Sequence, residues 1–209
     1  MNGADPVRAR RLPRTERADY EAIAAWIRPA ATVLDLGCGD GLLLRHLRET
    51  RSVTGYGIEL EDDKVIASVA NGVNVIQGDL ERGLAEFDTN SFDYVILSLT
   101  LQAVRNTEGI VLDMLRVGRE GIVTFPNFGY WRHRLQVLGG HMPVTVNLPF
   151  QWYNTPNVHL CTIGDFEQFC RQHSIRILQR LVLSEGRRVV VMPNLLGSLA
   201  VYRFERAAR

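Results

Sequence analysis

The stretch from residue 33 to residue 41 (VLDLGCGDG) constrains the fold of this 209-residue chain more than any other. Four residues suited to a buried strand, Asp35 among them, lead into three glycines that alternate with other residues, and a helical pattern starts at Leu42. Glycines let the backbone turn sharply and approach a ligand closely, and the start of a helix presents unpaired N–H groups. The stretch predicts a strand, a turn and a helix that together hold a nucleotide ligand with an anionic or carboxylate group at the turn.

The spacing of the three glycines separates two classes of nucleotide site. A dinucleotide-binding turn has the pattern G-x-G-x-x-G, whereas Gly37, Gly39 and Gly41 form G-x-G-x-G, with Asp35 two residues ahead. This spacing favours a nucleotide other than NAD, and we rank an NAD-binding oxidoreductase third among the candidate functions.

Acidic residues end the next two predicted strands. Glu59 follows an apolar run that ends eighteen residues beyond the glycines, where its carboxylate can accept both hydroxyls of a ribose. Asp79 ends the third strand, within reach of an adenine amino group. Together with Asp35, these acids predict a ligand-facing row at the carboxyl edge of a parallel sheet.

With these motifs the chain resembles class I S-adenosylmethionine-dependent methyltransferases, whose pattern is an acid before G-x-G-x-G, an acid ending the second strand, and Gly-Asp ending the third. Two later segments, 124–134 (TFPNFGYWRHR) and 148–159 (LPFQWYNTPNVH), resemble the MetW family of methionine biosynthesis. The likeness covers roughly residues 15–206, and the two later segments carry the family assignment.

The resemblance implies a Rossmann-like class I methyltransferase fold: a seven-stranded, mostly parallel sheet with one antiparallel edge strand and helices on both faces. It also implies S-adenosylmethionine or S-adenosylhomocysteine as the cofactor, and homoserine O-acyltransferase as a partner. The expected cofactor-binding residues are Asp35, Gly37, Cys38, Gly39, Gly41, Glu59, Leu60, Gly78, Asp79, Leu80 and Ser98.

The hydrophobic pattern of the chain agrees with such a fold, because strand and helix patterns alternate along it. Strands are predicted near 32–36, 53–58, 73–77, 93–98, 120–125, 175–184 and 198–206, and helices near 15–28, 41–49, 62–70 and 108–117. We expect a flexible tail over residues 1–14 and a single domain over 15–209.

An aromatic-rich insertion at about residues 126–161 departs from this alternation. A structureless span of that length is uncommon in a compact domain, so a helix is predicted over 129–138. Its aromatic residues can pack in the core, line an acceptor pocket or bind another protein. Thr162 is predicted to cap the helix that follows.

Composition excludes several other classes of protein. A net charge of +1 gives no basic field for nucleic acid. No apolar run reaches the ~20 residues needed to cross a membrane, and the first residues do not resemble a signal peptide, so we expect a cytoplasmic protein. Three cysteines without C-x-x-C spacing and five scattered histidines predict neither disulfides nor a metal site.

Whether the chain is catalytic is left open by its residues. Many small-molecule methyltransferases carry a histidine at the end of a segment resembling residues 97–102, but here that position is Gln102, which cannot act as a base. His133 and His159 are alternative bases. We rank a partner protein that binds the cofactor slightly above an active methyltransferase on an unidentified acceptor; the oligomeric state is not predicted.

Overall fold

The computed structural model describes residues 17–207, so the predicted tail at residues 1–14 lies outside the described residues. Within that range, eight strands form one sheet. They are β1 (Thr32–Leu36), β2 (Thr54–Glu59), β3 (Val75–Gln77), β4 (Phe92–Ser98), β5 (Gly118–Pro126), β6 (Ile175–Ser184), β7 (Arg187–Arg188) and β8 (Leu199–Arg206). Their order across the sheet is β3-β2-β1-β4-β5-β8-β6-β7.

The first five strands are parallel, and the reversed strands lie on the far side of β5. β8 pairs antiparallel with both β5 and β6, and β7 pairs antiparallel with β6 at the edge. The predicted fold class is therefore confirmed, with eight strands where seven were expected. The strand that was not predicted is β7, which has only two residues and follows a hairpin turn at Gly186. A strand this short leaves no hydrophobic pattern in the sequence.

Seven helices accompany the sheet within the described residues. They are α1 (Ala18–Trp26), α2 (Leu42–Arg51), α3 (Asp62–Ala70), α4 (Thr107–Val117), α5 (Trp131–Leu138), α6 (Ile163–Gln172) and α7 (Pro193–Leu196). α6 begins with a capping box, in which the side chains of Thr162 and Asp165 each accept the other residue's backbone N–H. The predicted cap at Thr162 is thus confirmed.

Both faces of the sheet are covered, as alternate residues of β4 illustrate. Val95 and Leu97 belong to a core cluster that includes α4 and α6, whereas Tyr94 and Ile96 belong to a second cluster that includes α1 and α2. A strand buried on both faces has a continuous apolar sequence, which is the pattern that residues 94–97 show. The parallel strands consequently end together at one edge, where the predicted site residues lie.

Across residues 17–207, none of the helices combines the length and the apolar composition that a membrane span requires. The aromatic insertion contains α5 within the predicted 129–138 and an isolated bridge between Thr145 and Leu148. Backbone hydrogen bonds connect the insertion to the segment that follows β4, because the N–H groups of Val158 and His159 donate to the carbonyl of Gln102. The two ends of the insertion are joined by the N–H of Phe128, which donates to the carbonyl of Cys161.

Candidate functional site

The glycine turn after β1 depends on backbone conformations that favour glycine. Gly37, Gly39 and Gly41 have φ angles of +67°, +61° and +74°. A Cβ on Gly37 would lie 2.7 Å from the side chain of Thr100, whereas a Cβ on Gly39 would meet no atom within 4 Å. The first glycine therefore allows close packing inside the protein, and the second borders open space where a ligand can approach.

Most N–H groups of the turn are already paired inside the protein. Those of Gly37 and Cys38 donate to the carbonyl of Ile58, and that of Gly41 donates to the carbonyl of Cys38. The start of α2 has no side-chain cap, so the N–H groups of its first turn can still bind a ligand.

Glu59 binds the glycine turn. Its Oε2 accepts the N–H of Gly39 at 2.8 Å, and its Oε1 accepts those of Leu60 and Glu61 at 2.9 and 3.1 Å. A carboxylate offers about four acceptor positions, so these three bonds leave one for a ligand hydroxyl. Glu59 thus holds the turn in place, and the predicted pairing with both ribose hydroxyls would require one of the N–H bonds to be exchanged.

Asp35 is a buried carboxyl group beside this turn. It is 1% exposed, and its Oδ1 has no hydrogen-bond partner among the described residues. Burial, reinforced by the negative charge of Glu59, raises the pKa of Asp35 to about 8, while Arg17 acts in the opposite direction. A buried acceptor without a donor suits a cationic group of a ligand, such as an ammonium.

The third acid lies at the end of β3, as the sequence predicted. Asp79 accepts the N–H of Glu81 at 2.9 Å and so caps the short 3₁₀ turn Leu80–Arg82. The N–H of Gly78 donates to the carbonyl of Glu59, which joins the ends of β3 and β2. Leu60 is exposed and Leu80 is partly buried against the core, so the row contains apolar surface between its acids.

Ser98 ends β4, but its hydroxyl lies 3.1 Å from that of Thr124 in β5. Leu99 then adopts a left-handed conformation, with φ of +56°. This is uncommon for a leucine and is the kind of backbone strain that accumulates at functional sites. The turn brings Thr100 against Gly37, so Thr100 borders the glycine turn, a contact that the sequence analysis missed.

Cys38 lies inside the glycine turn with its side chain buried. A Cβ on Gly57 would lie 2.3 Å from the Cys38 sulfur, so the thiol occupies space that only a glycine in β2 leaves free. Burial raises the pKa of the Cys38 thiol to about 12. Because the thiolate is the reactive form, Cys38 is a packing residue rather than a nucleophile.

The two candidate bases differ in their surroundings. Both ring nitrogens of His133 bind within the protein, Nδ1 to the carbonyl of Asn127 at 3.1 Å and Nε2 to the hydroxyl of Thr145 at 2.9 Å. Burial also lowers the pKa of His133. His133 therefore has a structural role, whereas His159 is exposed and lies beside Gln102.

Asn127 connects elements around the insertion and was not recognised in the sequence. Its side chain donates to the carbonyls of Asn194 and Gly197 and accepts the N–H groups of Gly129 and Ile163. The residue is fully buried. The only sequence signal is an amide directly after an apolar strand, which does not identify partners up to 70 positions away.

The family model described as methionine biosynthesis protein MetW matches residues 17–204. The chain belongs to the MetW family. A curated relative, the bifunctional methionine biosynthesis protein MetXA/MetW of Rhodopirellula baltica, is 37% identical over 93% of this chain. The chain spans only 34% of the length of that relative. Ribosomal protein L11 methyltransferase of Lachnoclostridium phytofermentans is 26% identical over 46% of the chain and 36% of the relative.

Solved structures resemble this MetW chain in fold. An S-adenosylmethionine-dependent methyltransferase from Mesorhizobium loti has a TM-score of 0.67 at 17% identity, covering 90% of this chain and 98% of that one. The putative methyltransferase bound to the Trm112 methyltransferase activator of Haloferax volcanii has a TM-score of 0.66 at 13% identity, covering 93% and 91%. These similarities confirm the class I methyltransferase fold.

Proposed function

We propose that this chain is a cytoplasmic, S-adenosylmethionine-binding protein of methionine biosynthesis that supports homoserine O-acyltransferase as a partner. The observation that carries the proposal is the Rhodopirellula relative, whose name joins MetXA and MetW in one chain of which this chain matches about a third. Joining of two proteins in one chain is a natural arrangement for two that act together, because the linkage raises their effective concentration.

The nucleotide part of the proposal is supported by the geometry around the glycine turn. The unpaired Oδ1 of Asp35 fits the ammonium of the methionine moiety, and the remaining acceptor position of Glu59 fits a ribose hydroxyl. We assign Asp79, Leu60 and Leu80, which follow β2 and β3, to contacts with the adenine. The other expected contacts are backbone or turn positions of this same edge, namely Gly37, Cys38, Gly39, Gly41, Gly78 and Ser98. When bound, S-adenosylmethionine would supply an electrophilic methyl group.

Replacing Glu59 by alanine tests the nucleotide site. We expect S-adenosylmethionine affinity to fall by about 1.5–3 kcal/mol, because a hydrogen bond to a charged group is lost and the glycine turn loses its support. Isothermal titration calorimetry measures the change. Glu61→Ala is the matched control, since Glu61 is exposed and its carboxylate pairs with Lys64 rather than with the turn. Unchanged affinity in Glu59→Ala would contradict the assignment of the pocket.

The partner part of the proposal is supported by exposed apolar side chains in the insertion. Leu138, Val146 and Trp152 are each more than 70% exposed, and Trp152 contacts the exposed Tyr153 edge to face. Aromatic and aliphatic side chains exposed together are typical of a protein-binding surface.

The decisive experiment measures the rate of homoserine acylation by the acyltransferase of the same organism, with and without the purified chain. A large increase in rate together with co-elution supports the partner function, and S-adenosylmethionine is then added to test whether it modulates the rate. If the rate does not increase and the two proteins do not co-elute, the partner function is contradicted.

An active methyltransferase on an unidentified small acceptor is the second candidate, favoured by the fold. It is tested by incubating the chain with S-adenosylmethionine and cell extract and measuring S-adenosylhomocysteine formation. Formation of S-adenosylhomocysteine that depends on the extract would support catalysis. If no S-adenosylhomocysteine forms, the result favours binding without catalysis.

A further inference from the structure

β3 forms one edge of the sheet, and its outer side has unused backbone groups. It is the last strand in the order and pairs with β2 alone. The N–H of Gly57 in β2 donates to the carbonyl of Asn74, just before β3. Since successive residues of a strand direct their backbone groups to opposite sides, those of Val75 and Gln77 face away from β2. Among residues 17–207, nothing bonds to them on that side.

Apolar side chains border this edge on both faces of the sheet. Tyr56 and Ile76 are exposed on one face, because residues 78–91, which lead from β3 to β4, form a 3₁₀ turn instead of a covering α-helix. On the other face α3 packs over β2 and β3, and its Ile66 and Val69 are exposed. Exposed apolar side chains grouped in this way are typical of a surface that binds protein.

The opposite edge of the sheet carries charges instead. Arg187 and Arg188 form β7, and Arg176 and Arg180 are exposed on β6. Charged side chains on an edge strand discourage pairing with another chain. The three residues of β3 include no charged side chain, so this is the edge at which a further strand can be added.

An identical β3 fits this edge by symmetry. An antiparallel copy centred on Ile76 places Val75 opposite Gln77 of the second copy, and Gln77 opposite its Val75. Residues directly opposite in such a pair exchange both N–H···O bonds, so the outward groups of both copies are satisfied. Ile76 then faces its own counterpart, with Cβ atoms about 4.5–5.5 Å apart.

Charges at the two ends of α3 also suit a second copy. The two-fold axis that makes the strands antiparallel makes the two α3 helices antiparallel as well. Asp62 and Asp63 lie in the first turn of α3, and Arg48 donates to the carbonyl of Gly72, just beyond its last turn. The acidic end of one α3 therefore lies beside the basic end of the other, and such complementary charges favour this pairing.

We propose that two copies of this chain pair through β3 and α3 to form a symmetric dimer with one continuous sheet. Ile66, Val69 and Ile76 of each copy form its apolar centre, and Asp63 of each copy faces Arg48 of the other. This dimer goes beyond the proposed function and requires neither nucleotide nor acyltransferase, so failure of either to bind leaves its test unaffected.

Sedimentation velocity of the full chain, free of nucleotide, measures the oligomeric state over a range of concentrations. We expect a reversible dimer with a Kd on the order of 10 μM, since the interface is small. Amide hydrogen exchange followed by NMR then locates the interface. The N–H groups of Val75 and Gln77 should become protected as concentration rises, whereas that of Ile76, which faces β2, should be protected at every concentration.

A pair of lysines tests the apolar centre. Ile66→Lys combined with Val69→Lys brings like charges together at the two-fold axis and should weaken the dimer at least thirtyfold. Because both side chains are exposed, the monomer should keep its fold. Leu135→Lys combined with Leu138→Lys is the matched control, since these residues are exposed at the same spacing on α5, and it should leave the Kd unchanged.

A charge swap tests the antiparallel arrangement. Arg48→Glu and Asp63→Arg should each weaken the dimer about tenfold, and the double variant should restore the Kd to within threefold of the wild type. The two residues lie at opposite ends of α3 within one chain, so restoration reports a contact between copies.

Four results would each overturn the dimer: a monomer at all concentrations, a dimer that leaves Val75 and Gln77 unprotected, a dimer that survives the lysine pair, or a charge swap without restoration. Protection of Val75 and Gln77 that appears only when the acyltransferase is added would also overturn it, and would assign this edge to that partner.

Discussion

At the scale of single residues, the ionisation of Asp35 couples ligand binding to pH. The pKa of its carboxyl is raised to about 8 in the free protein, chiefly by burial. An ammonium ligand stabilises the ionised form and lowers this pKa, so binding releases a proton. Since proton release is favoured at higher pH, S-adenosylmethionine affinity should increase between pH 6 and 7.5, by up to about tenfold per pH unit.

Asp35→Asn should abolish this increase, because the amide does not titrate. Calorimetry at pH 6, 6.75 and 7.5, in buffers of different ionisation enthalpy, measures affinity and proton release together. Asp79→Asn is the matched control, since Asp79 lies in the same row and caps a turn through Oδ1. The same pH slope in Asp35→Asn as in the wild type would contradict the role of Asp35.

The stability of the ligand-free protein should depend on Asp35 in the opposite direction. The pKa of its carboxyl rises from its usual 3.8 to about 8 on folding, so the folded state retains a proton that the unfolded state has lost. Stability therefore decreases as pH rises from about 4 to 8, and Asp35→Asn removes that decrease.

At the scale of elements, the sequence predicted the parts that follow a local pattern. The strand β1, the glycine turn and α2 were predicted from adjacent residues, because burial on both faces and glycine spacing leave a signature in a short window. The cap of α6 is likewise a four-residue pattern.

Contacts between distant segments were not predictable in this way. Thr100 meets Gly37, and Asn127 binds carbonyls about 70 residues later, only because the sheet brings those segments together. The pairing of Glu59 with the N–H of Gly39 likewise depends on the fold of the turn itself. The sequence thus indicated the acidic residues of the site but not which backbone N–H groups already donate hydrogen bonds to them.

The insertion should respond to pH through His133, whose ring joins the turn after β5 to Thr145. Burial lowers the pKa of His133 below its usual 6.5, so the unfolded chain takes up a proton before the folded one does. The stability that the neutral ring contributes is present above pH 6.5 and is lost as pH falls below it.

Hydrogen exchange of residues 141–148, corrected for the intrinsic pH dependence, should therefore be faster at pH 5.5 than at pH 7.5. His133→Gln should remove this difference, whereas His141→Gln should keep it because His141 is exposed on the same segment. An equal pH response in wild type and His133→Gln would show that another group controls the opening.

At the scale of the whole molecule, two exposed apolar pairs offer a direct comparison. Trp152 and Tyr153 are 73% and 69% exposed on the insertion, and Ile66 and Val69 are 67% and 61% exposed on α3. The insertion follows β5 and bonds to Gln102 after β4, whereas α3 packs against β2 and β3 at one edge of the sheet. If the insertion is the protein-binding surface, substitutions of the first pair should weaken partner binding and substitutions of the second pair should not, although both pairs are exposed and apolar.

Replacing Trp152 and Tyr153 by alanine should weaken binding to homoserine O-acyltransferase at least tenfold, because aromatic residues contribute most to protein interfaces, with hot spots at about 2 kcal/mol or more. S-adenosylmethionine affinity should stay within twofold of the wild type. Replacing Ile66 and Val69 by alanine should leave partner binding unchanged. Surface plasmon resonance with immobilised acyltransferase measures the first effect and calorimetry the second. If the double variant instead binds the partner normally and S-adenosylmethionine more weakly, the insertion is a lid over the nucleotide. The two aromatic side chains would then contact the nucleotide rather than the partner.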